Sequence, residues 1–181
     1  MASWQKIARR IRVPLGFAFA AIYIWLAQPT MQSMMAGIFF IIVGLVIRAL
    51  ASGHVKKNEE LTITGPYAYT RNPLYLGSLL LAGGFVVASR SWIVAAIAAV
   101  LLFAIYLPVI RGEENFLRSR FPEFEEYSQH VPRLFPRLTP YRSGPGSFSP
   151  HLYWKHREYN AAIGAAFMIA ALVAKFILHR R

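Results

Sequence analysis

A chain of 181 residues that is 56% hydrophobic and 15% charged, with a mean hydropathy of +0.39, is too apolar for an ordinary soluble domain. Its net charge of +12 comes from 20 Lys and Arg against 8 acids, all of them Glu, and the basic residues sit between apolar runs instead of covering one polar face, which argues against a nucleic-acid partner. There is no cysteine, which excludes a disulfide framework, a thiolate metal site and a Cys nucleophile.

In chain order the apolar segments are Val13 to Ala27, Met34 to Ala51, Leu74 to Ser89, Ser91 to Ile110 and Asn160 to Leu178. A spanning helix needs about 20 residues, so the first and third are short unless flanking residues join them. The expected fold class is all-α: a polytopic membrane helix bundle of about five transmembrane helices in a single domain covering 1–181, with a polar cap on its cytoplasmic side. No cleavable signal is expected, because the first run lacks a small-x-small pattern and leads into Gln28-Pro29-Thr30. Pro14 suits the first turn of a helix, and Pro108 is expected to kink or end the fourth. Arg48 can snorkel to the interface or line a polar cavity, and snorkelling is the ordinary outcome.

With the N-terminus cytoplasmic, most of the basic residues fall inside, among them Lys6, Lys56, Lys57, Arg71, Arg111 and Arg133. Outside stand Arg90, Lys175, Arg180 and Arg181, so the positive-inside rule supports this orientation. The turn Ser89-Arg90-Ser91 is very short. Arg71 and Arg111 lie nearly equal distances along the chain on either side of it, so an antiparallel helical hairpin lifts both to the same height, about 30 Å away. Two polar stretches distant in sequence thereby meet at one membrane face.

The first stretch, Gly65 to Tyr75, reads GPYAYTRNPLY, and Pro73 is placed to start the third helix. A helix start beside an Arg and an Asn suits an anionic group, while Tyr67, Tyr69 and Tyr75 are equally at home as interface anchors. The second stretch, Arg111 to Pro136, reads RGEENFLRSRFPEFEEYSQHVPRLFP. Its Glu113-Glu114 pair can bind a cation, a ribose hydroxyl pair or an amine, or form a solvated helix face. No His stands at ligand spacing near these acids, so no metal site is expected. The run Leu138 to Pro150, with Pro140, Gly144, Pro145 and Gly146, reads as a loop. In the last helix Ala162, Ala166, Ala170 and Ala174 form a small-residue stripe suited to close helix packing within the molecule.

The two stretches and the hairpin between them resemble the isoprenylcysteine carboxyl methyltransferase and phospholipid methyltransferase group of integral membrane enzymes, over about residues 50–138. The helix at about 160–178 is then an addition to that core. The resemblance implies S-adenosyl-L-methionine bound at the cytoplasmic face. Glu59, Glu60, Leu61, Thr62 and Tyr67 match the loop that wraps this cofactor, Asn72, Pro73, Leu74 and Tyr75 match the helix start near its amino-acid end, and Glu113 matches the acid that contacts it. The family's Arg-His-Pro is Arg71-Asn72-Pro73 here, and Asn cannot carry the imidazole's charge. The segment FPEFEEY is one residue shorter than the family spacing, with Pro122 in place of Gly, which leaves Glu113 and Glu114 one register apart.

Methyl transfer to a carboxylate asks for positioning and desolvation more than for acid or base help. Arg71 or Arg111 would then hold the anionic acceptor, whereas an amine acceptor needs a base, for which Glu114 is the candidate. The expected activity is therefore methylation of a lipid-like acceptor, carboxyl O-methylation ahead of phospholipid amine N-methylation, in contact with membrane lipids. An NADPH-dependent membrane reductase of steroid-reductase type and a non-catalytic scaffold are the competing readings.

Overall fold

The computed structural model describes residues 2–56, 59–142 and 146–178. Lys57, Gly144, Pro145, Arg180 and Arg181, used in the charge and loop readings, lie outside them. The described residues form helices and connections without a strand: α1 (Ala2–Leu26), α2 (Met31–His54), α3 (Pro73–Ser89), α4 (Trp92–Leu101), α5 (Leu107–Arg120), α6 (Phe124–His130), α7 (Pro150–Lys155) and α8 (Tyr159–Leu178). A π turn at Leu102–Tyr106 joins α4 to α5, and a 3-10 turn at Gly65–Ala68 precedes α3. The helices Met31–His54, Trp92–Arg120 and Tyr159–Leu178 are long and apolar enough to cross a membrane, and the apolar stretches Pro14–Leu26 and Pro73–Ser89 are shorter. The molecule is a membrane helix bundle. Large apolar side chains such as Phe17, Trp25, Phe39, Trp92 and Phe167 point outward, which lipid tolerates and water does not.

The tightest packing is between α2 and α3, and it rests on four glycines. Gly37 and Gly44 on α2 face Gly84 and Gly77 on the antiparallel α3. A Cβ on Gly44 would stand 2.6 Å from the Gly77 carbonyl oxygen, one on Gly84 would stand 2.6 Å from that of Gly37, and one on Gly37 would collide with the Gly84 carbonyl. Only bare backbone permits this approach, and in lipid such close packing replaces the hydrophobic drive that water supplies elsewhere. Gly84→Val is therefore expected to lower stability by about 3 kcal/mol through overpacking. Gly83→Val, one residue away with open space at its Cβ, should stay within about 0.5 kcal/mol of wild type. Thermal unfolding of the two variants in detergent makes the comparison.

Polar ties fix the end of the bundle opposite the start of α3. Thr30 and Ser33 form a reciprocal capping box that begins α2, and the Ser33 hydroxyl also donates to the Ala88 carbonyl at 3.1 Å. The buried Tyr23 hydroxyl donates to the Phe85 carbonyl at 2.9 Å, and Arg90 turns the chain with a left-handed φ of 52°. On α8, Lys175 donates to the carbonyls of Ile24 and Trp25 at 2.6 and 2.7 Å, closing the C-terminus of α1.

Three sequence expectations need correction. Pro14 lies inside α1, which starts at Ala2; the carbonyl that loses its donor belongs to Arg10, an exposed residue whose carbonyl water can serve. Pro108 does not end its helix, which runs on to Arg120. The π turn immediately before it, with the Leu107 N–H bonded back to the Leu102 carbonyl, absorbs the misfit. Arg48 does not snorkel. Its guanidinium pairs with Glu158 just ahead of α8 and donates to the Ser78 hydroxyl and, at 3.4 Å, to the Leu74 carbonyl on α3, so fixed acceptors of the bundle satisfy it where it stands.

Candidate active site

The two polar stretches interlock where α3 begins. Thr70, almost fully buried, directs its hydroxyl at a row of carbonyls, 3.2 Å from that of Arg133 and 3.1 Å from that of Leu134. Backbone bonds hold the same seam: the Arg71 N–H meets the Pro132 carbonyl at 2.9 Å, the Arg137 N–H meets that of Tyr69 at 3.0 Å, and the Tyr141 N–H meets that of Ala68 at 2.9 Å. The Tyr127 hydroxyl donates to the Tyr67 carbonyl at 2.7 Å. The strap 131–142 is thus laced onto residues 67–71. Burial pushes the Tyr67 hydroxyl far up, with Tyr127, Glu113 and Glu158 adding to the shift. Burial does the same to Tyr127, opposed by Arg71 and helped by Glu114. Both phenols are neutral donors near neutral pH.

At the centre stands Glu114, 3% exposed. Oε1 accepts from Asn72 Nδ2 at 2.9 Å, and Oε2 accepts from Arg133 Nε at 3.0 Å with the other nitrogen of the fork at 2.8 Å. Such pairing is what a carboxylate withdrawn from water requires. The second amide hydrogen of Asn72 goes to the Arg133 carbonyl at 3.1 Å. Arg71 Nε is 3.8 Å from Glu114 Oε1, too far for a hydrogen bond, and this buried donor has no acceptor among the described residues. One position along α5, the half-buried Glu113 accepts from the Tyr75 hydroxyl at 2.9 Å, and the Tyr75 ring meets Tyr106 of the π turn edge-on at 6.2 Å. The adjacent acids are therefore not equivalent: one is a locked anchor, the other retains an oxygen with no hydrogen-bond partner among the described residues.

The structure thus brings together Arg71, Asn72, Pro73, Tyr75, Glu113 and Glu114. Pro73 is fully buried at the first turn of α3, and the Leu74 carbonyl takes bonds from Ser78 and Arg48. Tyr67 is buried under Tyr127, Leu61 packs against the α6 cluster, and Thr62 is buried, accepting the Lys56 N–H at 3.4 Å. Glu59 and Glu60 sit apart on an exposed turn, paired with Lys155 and Lys56. Arg111 is exposed and outside the network. Arg133 and Thr70 were missed, although both lie inside the quoted motifs; an Arg following Val131-Pro132 gives no local signal that it folds back onto Glu114. Among the described residues no group of three His, Cys, Asp or Glu stands close enough to hold a metal ion.

Fold and site together define a membrane helix bundle with a charged, loop-built centre at one end. The chain belongs to the phospholipid methyltransferase family, whose profile matches residues 11–123. This places it among the membrane methyltransferases. It is 38% identical over 129 residues to the cobalt-zinc-cadmium resistance protein CzcN of Cupriavidus metallidurans, a match covering 71% of this chain and 58% of that one. Over 120 residues it is 37% identical to the nickel-cobalt-cadmium resistance protein NccN of Alcaligenes xylosoxydans xylosoxydans, covering 66% of this chain and 55% of that one. The chain thus spans less than two thirds of the length of either relative. No solved structure matches it. The family match takes in most of α1 and the helices from α2 to α5 and stops before Arg133, so the strap that completes the centre lies beyond it.

Proposed function

We propose that the chain transfers a methyl group from S-adenosyl-L-methionine to a lipid-like acceptor at the cytoplasmic membrane face, and that the acceptor presents a carboxylate. The observation that carries this reading is the buried Arg71 Nε without an acceptor, beside a Glu114 whose oxygens are already taken. An unmatched guanidinium donor calls for an anionic group. Glu113, one position from Glu114 on α5, then suits the amine of the cofactor's amino-acid end.

S-Adenosyl-L-methionine, when bound, would supply an electrophilic sulfonium methyl to the acceptor oxygen and would leave as the neutral thioether, its sulfur keeping the electron pair of the broken C–S bond. No proton moves when that oxygen belongs to a carboxylate. The chain's part is then to hold and dehydrate: Arg71 orients an anion, Tyr75 orients Glu113, and the Thr70 seam keeps the strap closed over the centre. Amine methylation needs a base, and Glu114, its two oxygens held by Asn72 and Arg133, is poorly placed to take a proton. A part in tolerance of divalent metals, suggested by the relatives' names, would act through the methylated product.

Calorimetric titration of detergent-purified protein tests the cofactor assignment. S-Adenosylhomocysteine is expected to bind and NADPH is not; the reverse would replace the methyltransferase reading with the reductase one.

A further inference from the structure

The strap 131–142 has a second face. Phe135 is 84% exposed and Leu138 98% exposed, and the Tyr69 ring beside them is 38% exposed. Between Phe135 and Leu138 stands Arg137, whose side chain donates to the His130 carbonyl and the Thr139 hydroxyl, and four residues past Leu138 comes Arg142, paired with the exposed Glu126. The segment itself, VPRLFPRLTPYR, contains no acid. Three prolines, Pro132, Pro136 and Pro140, hold it extended and without helix or ladder hydrogen bonds, and leave the Phe135 and Leu138 side chains turned away from the rest of the fold.

Position says what they meet. The strap is bonded to Ala68, Tyr69 and Arg71, directly before Pro73, the first residue of the apolar helix α3. A helix of that kind begins at the boundary between hydrocarbon and headgroups. Exposed aromatic and aliphatic tips interleaved with arginines, at that level, are complementary to acyl chains below and phosphates above.

We infer that Phe135 and Leu138 insert into the membrane that holds the bundle, that Arg137 and Arg142 bind the phosphates of anionic phospholipids, and that this contact keeps the strap closed on the Glu114 centre. The coupling is direct: the same segment presents the Arg133 fork to Glu114 on one side and the apolar tips on the other. The inference rests on the membrane placement of the bundle and stands independently of which group the centre transfers.

The chain has no cysteine, so Leu138→Cys can carry a single environment-sensitive fluorophore without disturbing packing. The test uses the full chain in nanodiscs of phosphatidylcholine alone or of an equal mixture with phosphatidylglycerol, with a label at the exposed Ser119 of α5 as the reference in water. The expected result is blue-shifted emission at 138, quenched by lipids carrying a shallow spin label, and stronger in the mixed nanodisc. Arg137→Gln with Arg142→Gln should erase the difference between the two lipids. Amide exchange at Arg137 and Tyr141 should slow several-fold with phosphatidylglycerol. Water-like emission at 138 in both nanodiscs overturns the inference. So does a blue shift that spin-labelled lipid fails to quench, the sign of a protein partner, or equal quenching and exchange in both lipids.

Discussion

Glu114→Ala is expected to cost about 3 kcal/mol of stability and to abolish S-adenosylhomocysteine binding, because it strands the buried Asn72 amide, takes the nearest carboxylate from the largely buried Arg71 and releases the exposed Arg133 fork. Arg133 would lose its partner at 2.8 Å and Asn72 its acceptor at 2.9 Å, so the strap would no longer be pinned to α3. Glu113→Ala removes a half-buried side chain with one bond to Tyr75, and its stability should change by about 1 kcal/mol or less. Its affinity for S-adenosylhomocysteine should nevertheless fall at least about tenfold, equivalent to about 1.4 kcal/mol. Parallel thermal unfolding and calorimetry separate the two roles. Normal binding by Glu113→Ala together with lost binding by a fully folded Glu114→Gln would transfer the contact to Glu114. Normal binding by both would remove these acids from the cofactor site.

Asn72 carries the second large expectation. Both hydrogens of its amide are used, one on Glu114 and one on the Arg133 carbonyl; the carbonyl keeps the Thr70 hydroxyl, but Asn72→Leu leaves the buried Glu114 Oε1 without its donor. Binding of S-adenosylhomocysteine should weaken by about 1–3 kcal/mol. Asn72→His should keep or improve it, since a ring N–H can still reach Glu114 and the imidazole can take a charge that the carboxylate favours. A neighbouring carboxylate raises an imidazole's pKa, so any gain from His is complete below its ordinary value of about 6.5 and fades as pH rises through the raised one. Titration of the three forms at two pH values provides the check. Equal affinity throughout would mean that the centre does not read position 72.

Much of this was legible without coordinates. The apolar runs gave α2, α3 and α8 close to their observed bounds, whereas α1 begins well before its run, at Ala2, and α5 continues past its run to Arg120; the short first and third runs are the two stretches that fall below spanning length. The equal arms of the Ser89-Arg90-Ser91 hairpin brought Arg71 to the level of Arg111, and Glu114, in the next turn of α5, stands 3.8 Å from Arg71. Arg111, chosen by the same count, is exposed, since height along a helix says nothing of which face a side chain occupies. The seven-residue glycine spacing on α2 and α3 was also visible, but its meaning depends on the two helices being antiparallel neighbours with 37 opposite 84.

What the sequence determined by itself is set by local rules: apolar length, proline at a helix start, a turn too short for anything but a hairpin. These act over a few residues and leave a plain imprint. The tertiary structure alone decided that Glu114 is the locked anchor while Glu113 keeps an open oxygen, that Arg48 serves Glu158 and Ser78, and that Arg133 closes the centre from nineteen residues away. Burial and partner choice cause these outcomes. A carboxylate takes whichever donors the packed helices and the strap bring within 3 Å, and no spacing along the chain records which those will be.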